Sequence, residues 1–149
     1  MPLRTAVFAL ALERFGRGSI LELDEEGIRS ARQWTPPQRW PHTWVTGGIS
    51  ARVSIRESAF TARDGASRPV RIYTPMYAAG PLPMVVFFHG GGYVLGNTKM
   101  YDPLCSFIAT SVPAVVVSVD YRQAPEHRAP AALNDSVDGL RWAHDHAST

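Results

Sequence analysis

The sequence predicts an α/β fold, and three observations carry that prediction. Met84–His89 and Ala114–Tyr121 are continuous apolar, largely β-branched or aromatic runs, the composition of strands buried on both faces of a parallel sheet. Between them, Tyr101–Ser111 has helical spacing. Residues 84–121 therefore read as strand, helix, strand, a unit whose crossover is right-handed and whose helix packs on the sheet. Upstream, residues 51–62 and Val70–Thr74 alternate in polarity around an Asp64-Gly65 turn, the pattern of an antiparallel hairpin with its loop near 63–68.

At 149 residues the chain fits one domain, with 45% hydrophobic and 19% charged residues, an ordinary globular balance. The 12 Pro and 12 Gly indicate many turns and no low-complexity segment. Net charge is +2, and Lys99 is the sole lysine beside 14 scattered Arg. No block of like charges and no basic patch interleaved with aromatics is present, so nucleic acid is not an expected partner. Cys105 is the only cysteine, which excludes an internal disulfide and a cysteine-based metal site and fits a cytoplasmic location. The apolar run Ala6–Leu12 is too short for a signal-peptide core, and no stretch approaches a membrane span.

In chain order, Leu3, Val7 and Leu10 lie at i, i+4, i+7 and predict an amphipathic helix over Leu3–Phe15. Asp24-Glu25-Glu26 followed by Arg29 and Arg32 matches the dipole of a short helix near 24–33, ended by Pro36-Pro37. Trp34–Trp44 is an irregular apolar arm. Its tryptophans are open to two readings, as core or as the lining of a substrate entrance. The hairpin and the strand Met84–His89 follow, then the helix Tyr101–Ser111, with Leu104, Phe107, Ile108 and Ser111 on one face. A last helix, Pro130–His146, places Leu133, Val137, Leu140 and His144 on one face, with Pro130 suited to its first turn.

The chemistry centres on His89-Gly90-Gly91-Gly92-Tyr93. A strand that ends in a glycine run brings bare backbone N–H groups to one point, which suits a negative charge developing on an oxygen, as in acyl transfer. The run is not a phosphate loop, because no Gly-Lys-Ser/Thr follows, and it lacks the G-x-G-x-x-G spacing of a dinucleotide site. Taken alone it is equally well a structural turn. No metal site is expected. His144-Asp145-His146 ends a helix, where histidine is favourable near the dipole, and adjacent helical residues do not converge. Cys105 reads as a buried small side chain.

A second segment decides between these readings. Val70-Arg71-Ile72-Tyr73-Thr74-Pro75, His89-Gly90-Gly91-Gly92-Tyr93, Asp120-Tyr121-Arg122, Ala124-Pro125-Glu126-His127 and Pro130-Ala131-Ala132-Leu133-Asn134-Asp135 together resemble the hormone-sensitive lipase family of α/β-hydrolases, in order and spacing over about residues 50–146. The resemblance implies an incomplete α/β-hydrolase fold. Residues 1–50 would be an N-terminal helical cap segment, and 51–149 the N-terminal half of the hydrolase domain with its first four strands. It implies a carboxylesterase or lipase-like hydrolase with a small-molecule ester substrate and no cofactor. By that resemblance Gly91 and Gly92 supply the oxyanion-hole N–H groups, Gly90 allows the turn and Tyr93 touches substrate. His89, Asp120, Tyr121, Arg122, Glu126 and His127 form a polar network that supports the loop. Gln123 stands where the family usually has Leu, with only a modest packing change expected.

The family's nucleophile sits in a Gly-Asp-Ser-Ala-Gly elbow, and no serine here has Gly at both −2 and +2. The Ser, Asp/Glu and His of the triad are expected beyond residue 149. The chain is therefore expected to be inactive alone, and Val85–Phe88 to form an open apolar edge prone to self-association. Two other readings stand beside a portion of a serine carboxylesterase: a non-catalytic binding module, and one half of a split esterase completed by another chain.

Overall fold

The computed structural model describes residues 22–147 together with Leu3 and Ala6. Those two residues are helical, and the rest of the expected helix over Leu3–Phe15 lies outside the described residues. Helix α1 spans Glu25–Gln33 and starts on Asp24, whose carboxylate accepts the Gly27 N–H at 2.8 Å, with Glu25 and Glu26 in its first turn and Arg32 in its last. Short helix α2 covers His42–Thr46. Strands β1 (Val53–Thr61), β2 (Ser67–Pro75), β3 (Met84–Phe88) and β4 (Val115–Val119) follow, with α3 (Asp102–Ser111) between β3 and β4 and α4 (Ala131–Asp145) after β4.

These strands form a sheet of order β1-β2-β4-β3. β2 is antiparallel to both β1 and β4, whereas β3 runs parallel to β4 with Val86 opposite Val117. Strand β3 thus lies at the edge, with one paired side among the described residues. Alternation along β4 feeds both faces. Val116 packs with Tyr73, Cys105 and Ala109 under α3, and Val117 and Val119 pack with Phe60, Val70, Ile72 and Ala132 under α4. Each such valine contributes about 1.5–3 kcal/mol by leaving water.

The helix faces that meet the sheet are not the large apolar ones. In α3 the buried residues are Asp102, Pro103, Cys105, Ser106 and Ala109, while Leu104 and Phe107 stay exposed. In α4 they are Ala132, Asp135, Gly139 and Ala143, while Leu133 and Leu140 stay exposed. Close approach explains the choice: a Cβ on Gly139 would lie 3.0 Å from both methyls of Val119. Small residues let each helix axis sit low on a β-branched sheet. Buried carboxylates then fix the helices. Asp102 accepts from Arg71 at 3.0 and 2.9 Å and from the Tyr73 hydroxyl at 2.6 Å, which ties α3 to β2.

The core reading of the tryptophan arm is corrected for Trp34 and Trp40, which are 47% and 80% exposed. Among the described residues no helix is long and apolar enough to cross a membrane.

Candidate functional site

β3 and β4 run parallel, so their C-terminal ends release His89–Gly96 and Asp120–Pro130 on the same side of the sheet. The first loop turns sharply because glycine permits it. Gly91 has φ 132° and Gly92 φ 63°. A Cβ on Gly91 would fall 1.9 Å from the Leu95 carbonyl oxygen, and one on Gly96 would fall 2.5 Å from the Gly90 carbonyl oxygen. Neither position admits a side chain. Tyr93 follows at φ 62°, a left-handed conformation uncommon outside glycine, and its ring is exposed.

The carbonyl side of this loop is almost fully engaged. The Tyr121 hydroxyl donates a short bond to the His89 carbonyl. His89 Nδ1 donates to the Gly90 carbonyl at 3.0 Å. Gly91 O accepts from Val94 N and Leu95 N at 3.2 and 2.9 Å, and Tyr93 O accepts from Ala124 N at 2.9 Å. Val94 O accepts from Arg32 Nε at 3.1 Å, and Leu95 O from Gln123 Nε2 at 2.6 Å. Against this, no described residue takes a hydrogen bond from the N–H of Gly91 or Gly92. Acceptors are spent inward and donors are left over, an arrangement that suits a negatively charged oxygen. A cleft of about 440 Å³ opens there, lined by Phe88, His89, Gly90, Gly91, Gly92, Tyr93, Tyr121, Leu133 and Ser136.

His89 lies under the loop, 3% exposed, with its ring stacked on Tyr121 at 4.3 Å between centroids. A carbonyl only accepts, so the Gly90 contact places the proton on Nδ1 and leaves Nε2 as an acceptor. Nε2 is buried with no hydrogen-bond partner among the described residues, and Asp120 Oδ1, at 4.0 Å, is beyond hydrogen-bond reach. Burial lowers the imidazole below its ordinary value, against the Gly90 bond and the Asp120 charge, and keeps the ring neutral at neutral pH. Burial raises the Asp120 carboxyl, with His89, Arg32 and Lys99 opposing, and pushes the Tyr121 phenol up to about 12.

The remaining predicted residues divide. Glu126 pairs with Arg32 NH1 at 3.0 Å. Arg122 does not touch the glycine loop. Its backbone N–H, Nε and NH2 all meet Asp135, at 2.9, 2.8 and 2.7 Å, and NH1 lies 2.6 Å from Asp64. Asp135 is fully buried and also accepts from Arg68 at 3.3 Å. Burial alone would raise its carboxyl, but the hydrogen bonds and charge of Arg122, with Arg68, hold it below the usual carboxylate range. The His127 side chain is exposed, and the residue joins the network through its backbone N–H, 3.0 Å from the Gln123 carbonyl.

The sequence assigns no site role to Arg32, Gln123 or Asp135. Gln123 does more than alter packing, since its amide holds the Leu95 carbonyl. Its departure from the Leu that the resemblance implies there is the available signal. Asp135 was detectable as a carboxylate at the spacing of the small buried residues of α4, whereas nothing local to Arg32 pointed to residues 94 and 124. Burial pushes the Cys105 thiol up to about 12, which removes it as a nucleophile. Among the described residues no cluster of three or more His, Cys, Asp or Glu could hold a metal ion.

Residues 85–149 match a family model described as the alpha/beta hydrolase fold. The chain is 48% identical over 80 residues to carboxylesterase NlhH of Mycobacterium tuberculosis, covering 54% of this chain and 25% of the relative. It is 38% identical over 105 residues to ethyl acetate hydrolase of Pseudomonas putida, covering 69% of this chain and 33% of the relative. Among solved structures, a hyperthermophilic esterase from the archaeon Pyrobaculum calidifontis matches with TM-score 0.71 and 31% identity over 99% of this chain and 45% of the other. The match thus spans a quarter to a third of these curated relatives.

Proposed function

We propose that the chain is a portion of a hormone-sensitive-lipase-like serine hydrolase of the α/β-hydrolase fold, the portion that binds the oxyanion during cleavage of carboxylic esters. The observation that carries this reading is the pair of unspent N–H groups on Gly91 and Gly92 in a loop most of whose carbonyls are engaged. When a serine oxygen attacks an ester carbonyl, the carbonyl oxygen becomes an alkoxide. Donors already aimed at that oxygen lower the barrier without reorganising. Gly90 provides the turn, Tyr93 contacts substrate at the rim, and His89, stacked and neutral, shapes the floor instead of accepting a proton.

Residues 1–50 serve as the cap segment and 51–149 as the N-terminal portion of the hydrolase domain. No serine of this chain stands in a Gly-x-Ser-x-Gly elbow, so nucleophile and base come from polypeptide other than these residues. The relative named ethyl acetate hydrolase supports a short acyl ester as substrate.

The test is turnover of p-nitrophenyl acetate by the chain alone, and by the chain mixed with the remaining portion of an esterase relative that carries the elbow. We expect no turnover alone. The reconstituted assembly should be active, and Gly91→Val should lower its rate roughly 10²–10³-fold, the cost of losing one oxyanion donor. Turnover by the chain alone that Gly91→Val abolishes would sink the division of labour. An active assembly indifferent to Gly91→Val would sink the oxyanion assignment.

A further inference from the structure

Arg32 is the only side chain of α1 that reaches into both site loops among the described contacts. Its guanidinium divides its donors: Nε to the Val94 carbonyl at 3.1 Å, NH2 to the Ala124 carbonyl at 2.6 Å and NH1 to Glu126 at 3.0 Å. Val94 belongs to the glycine loop and Ala124 to the loop after β4. These loops are also joined directly, by Ala124 N–H to the Tyr93 carbonyl at 2.9 Å. One planar group therefore closes a ring of hydrogen bonds around residues 93, 94 and 124. The contact is returned from the loop side. Asn97 Nδ2 donates to the Arg32 and Trp34 carbonyls at 2.5 and 3.1 Å, satisfying the C-terminal end of α1, while its Oδ1 accepts from Met100 N–H at 2.8 Å.

From this two-way connection, and resting on the oxyanion reading of Gly91 and Gly92, we propose that Arg32 is a positioning residue. It couples α1 to the glycine loop, so that the segment over the site sets where the loop N–H groups point. A guanidinium suits the task because its fork serves divergent acceptors in one plane, which a lysine ammonium cannot do. Charge-assisted bonds of this kind are the strong ones. Arg32 touches neither Gly91 nor Gly92, so its influence on them passes through Val94 and Tyr93.

The experiment is amide hydrogen exchange and ¹H–¹⁵N spectroscopy on the full chain. The Leu95 and Ala124 N–H groups are the reporters, because both are protected only while the loop keeps its shape. Arg32→Ala should raise their exchange rates by about tenfold or more, the scale of one lost charge-assisted bond. It should also move the Gly91 and Gly92 amide signals, while Val117 in β4 stays unchanged. Arg32→Lys should recover only a minor part. Glu126→Gln, which removes the negative charge from one partner and leaves the guanidinium, should raise the same rates several-fold, and it serves as the working variant where Arg32→Ala does not fold. Equal exchange at Leu95, Ala124 and Val117 in the folded variants would overturn the proposal. So would full recovery by lysine. Either result leaves the Gly91 turnover test untouched, so failure of the coupling and failure of the oxyanion reading are told apart.

Discussion

The loops that leave the parallel strands are built on opposite plans. After β3 the chain runs through His89-Gly90-Gly91-Gly92 and offers almost no side chain. After β4 it runs through Asp120-Tyr121-Arg122-Gln123, every residue of which is large and polar. On the proposed oxyanion reading, the first loop keeps its Gly91 and Gly92 N–H groups open and does not spend them in regular pairing. The second supplies what the first lacks: the Tyr121 hydroxyl on His89 O, the Ala124 N–H on Tyr93 O and the Gln123 amide on Leu95 O. Bareness in one loop therefore depends on furnishing in the other. Stability and site geometry should respond in proportion to how deeply each support is buried.

The largest effect is expected at Asp135, which supports the furnishing loop from beneath. Asp135→Ala leaves the Arg122 guanidinium without its fork partner, and breaking a buried pair costs roughly 3–5 kcal/mol. Because Arg122 keeps Asp64, a loss of about 3 kcal/mol in urea unfolding of the chain is expected. The same carboxyl predicts acid sensitivity. Its folded value lies below its unfolded one, so its contribution is complete above the unfolded carboxylate value of ~3.9 and is lost as pH falls through the folded value. Asp64, Asp138 and Glu126 are lowered as well, so Asp135→Asn should flatten the acid limb of the stability curve only in part. An unchanged acid limb in that variant would break the argument.

Next is the bare loop itself. Gly91→Val places a side chain where the Leu95 carbonyl stands, in a backbone region that costs about 1–3 kcal/mol for any other residue. A drop of about 2 kcal/mol is expected, with local loss of the Leu95 amide protection. Retention of the wild-type unfolding midpoint would mean that the loop adopts some other turn.

Tyr121→Phe keeps the ring that stacks on His89 and removes only the hydroxyl on the His89 carbonyl. A loss of about 1.5 kcal/mol is expected, the cost of leaving a buried acceptor short of its donor. A neutral result would show that another group can serve that carbonyl.

Much of this architecture was legible in the sequence, and what escaped it shares one cause. Strand identity and order in the chain followed from apolar runs such as Ala114–Val119, because a doubly covered strand has little compositional freedom. The glycine run was legible because positive φ and close approach leave few alternatives. Helix faces were legible only in part. Spacing puts Leu104, Phe107 and Ile108 on one face of α3 and Leu133 and Leu140 on one face of α4, yet of these only Ile108 packs on the core, and the close contacts to the sheet run through small residues such as Ala109 and Gly139. Residue size at a helix–sheet contact depends on how near the axis sits, and that is a tertiary quantity. Arg32 escaped for the same reason: its acceptors are backbone carbonyls 62 and 92 residues away, and a carbonyl carries no sequence signature.

Gln123 offers the smallest effect and the sharpest test of the comparison. It is 6% exposed, and Gln123→Leu keeps the volume and removes only the donor to the Leu95 carbonyl. If the glycine loop needs every carbonyl filled, the variant should lose about 0.5–1 kcal/mol, the net value of a neutral hydrogen bond. The Leu95 carbonyl ¹³C signal should then shift while the Tyr121 and Ala124 contacts persist. A gain in stability would instead mean that apolar packing outweighs the bond. The loop would then be held by Tyr121, Ala124 and Arg32, with the amide of Gln123 a minor refinement.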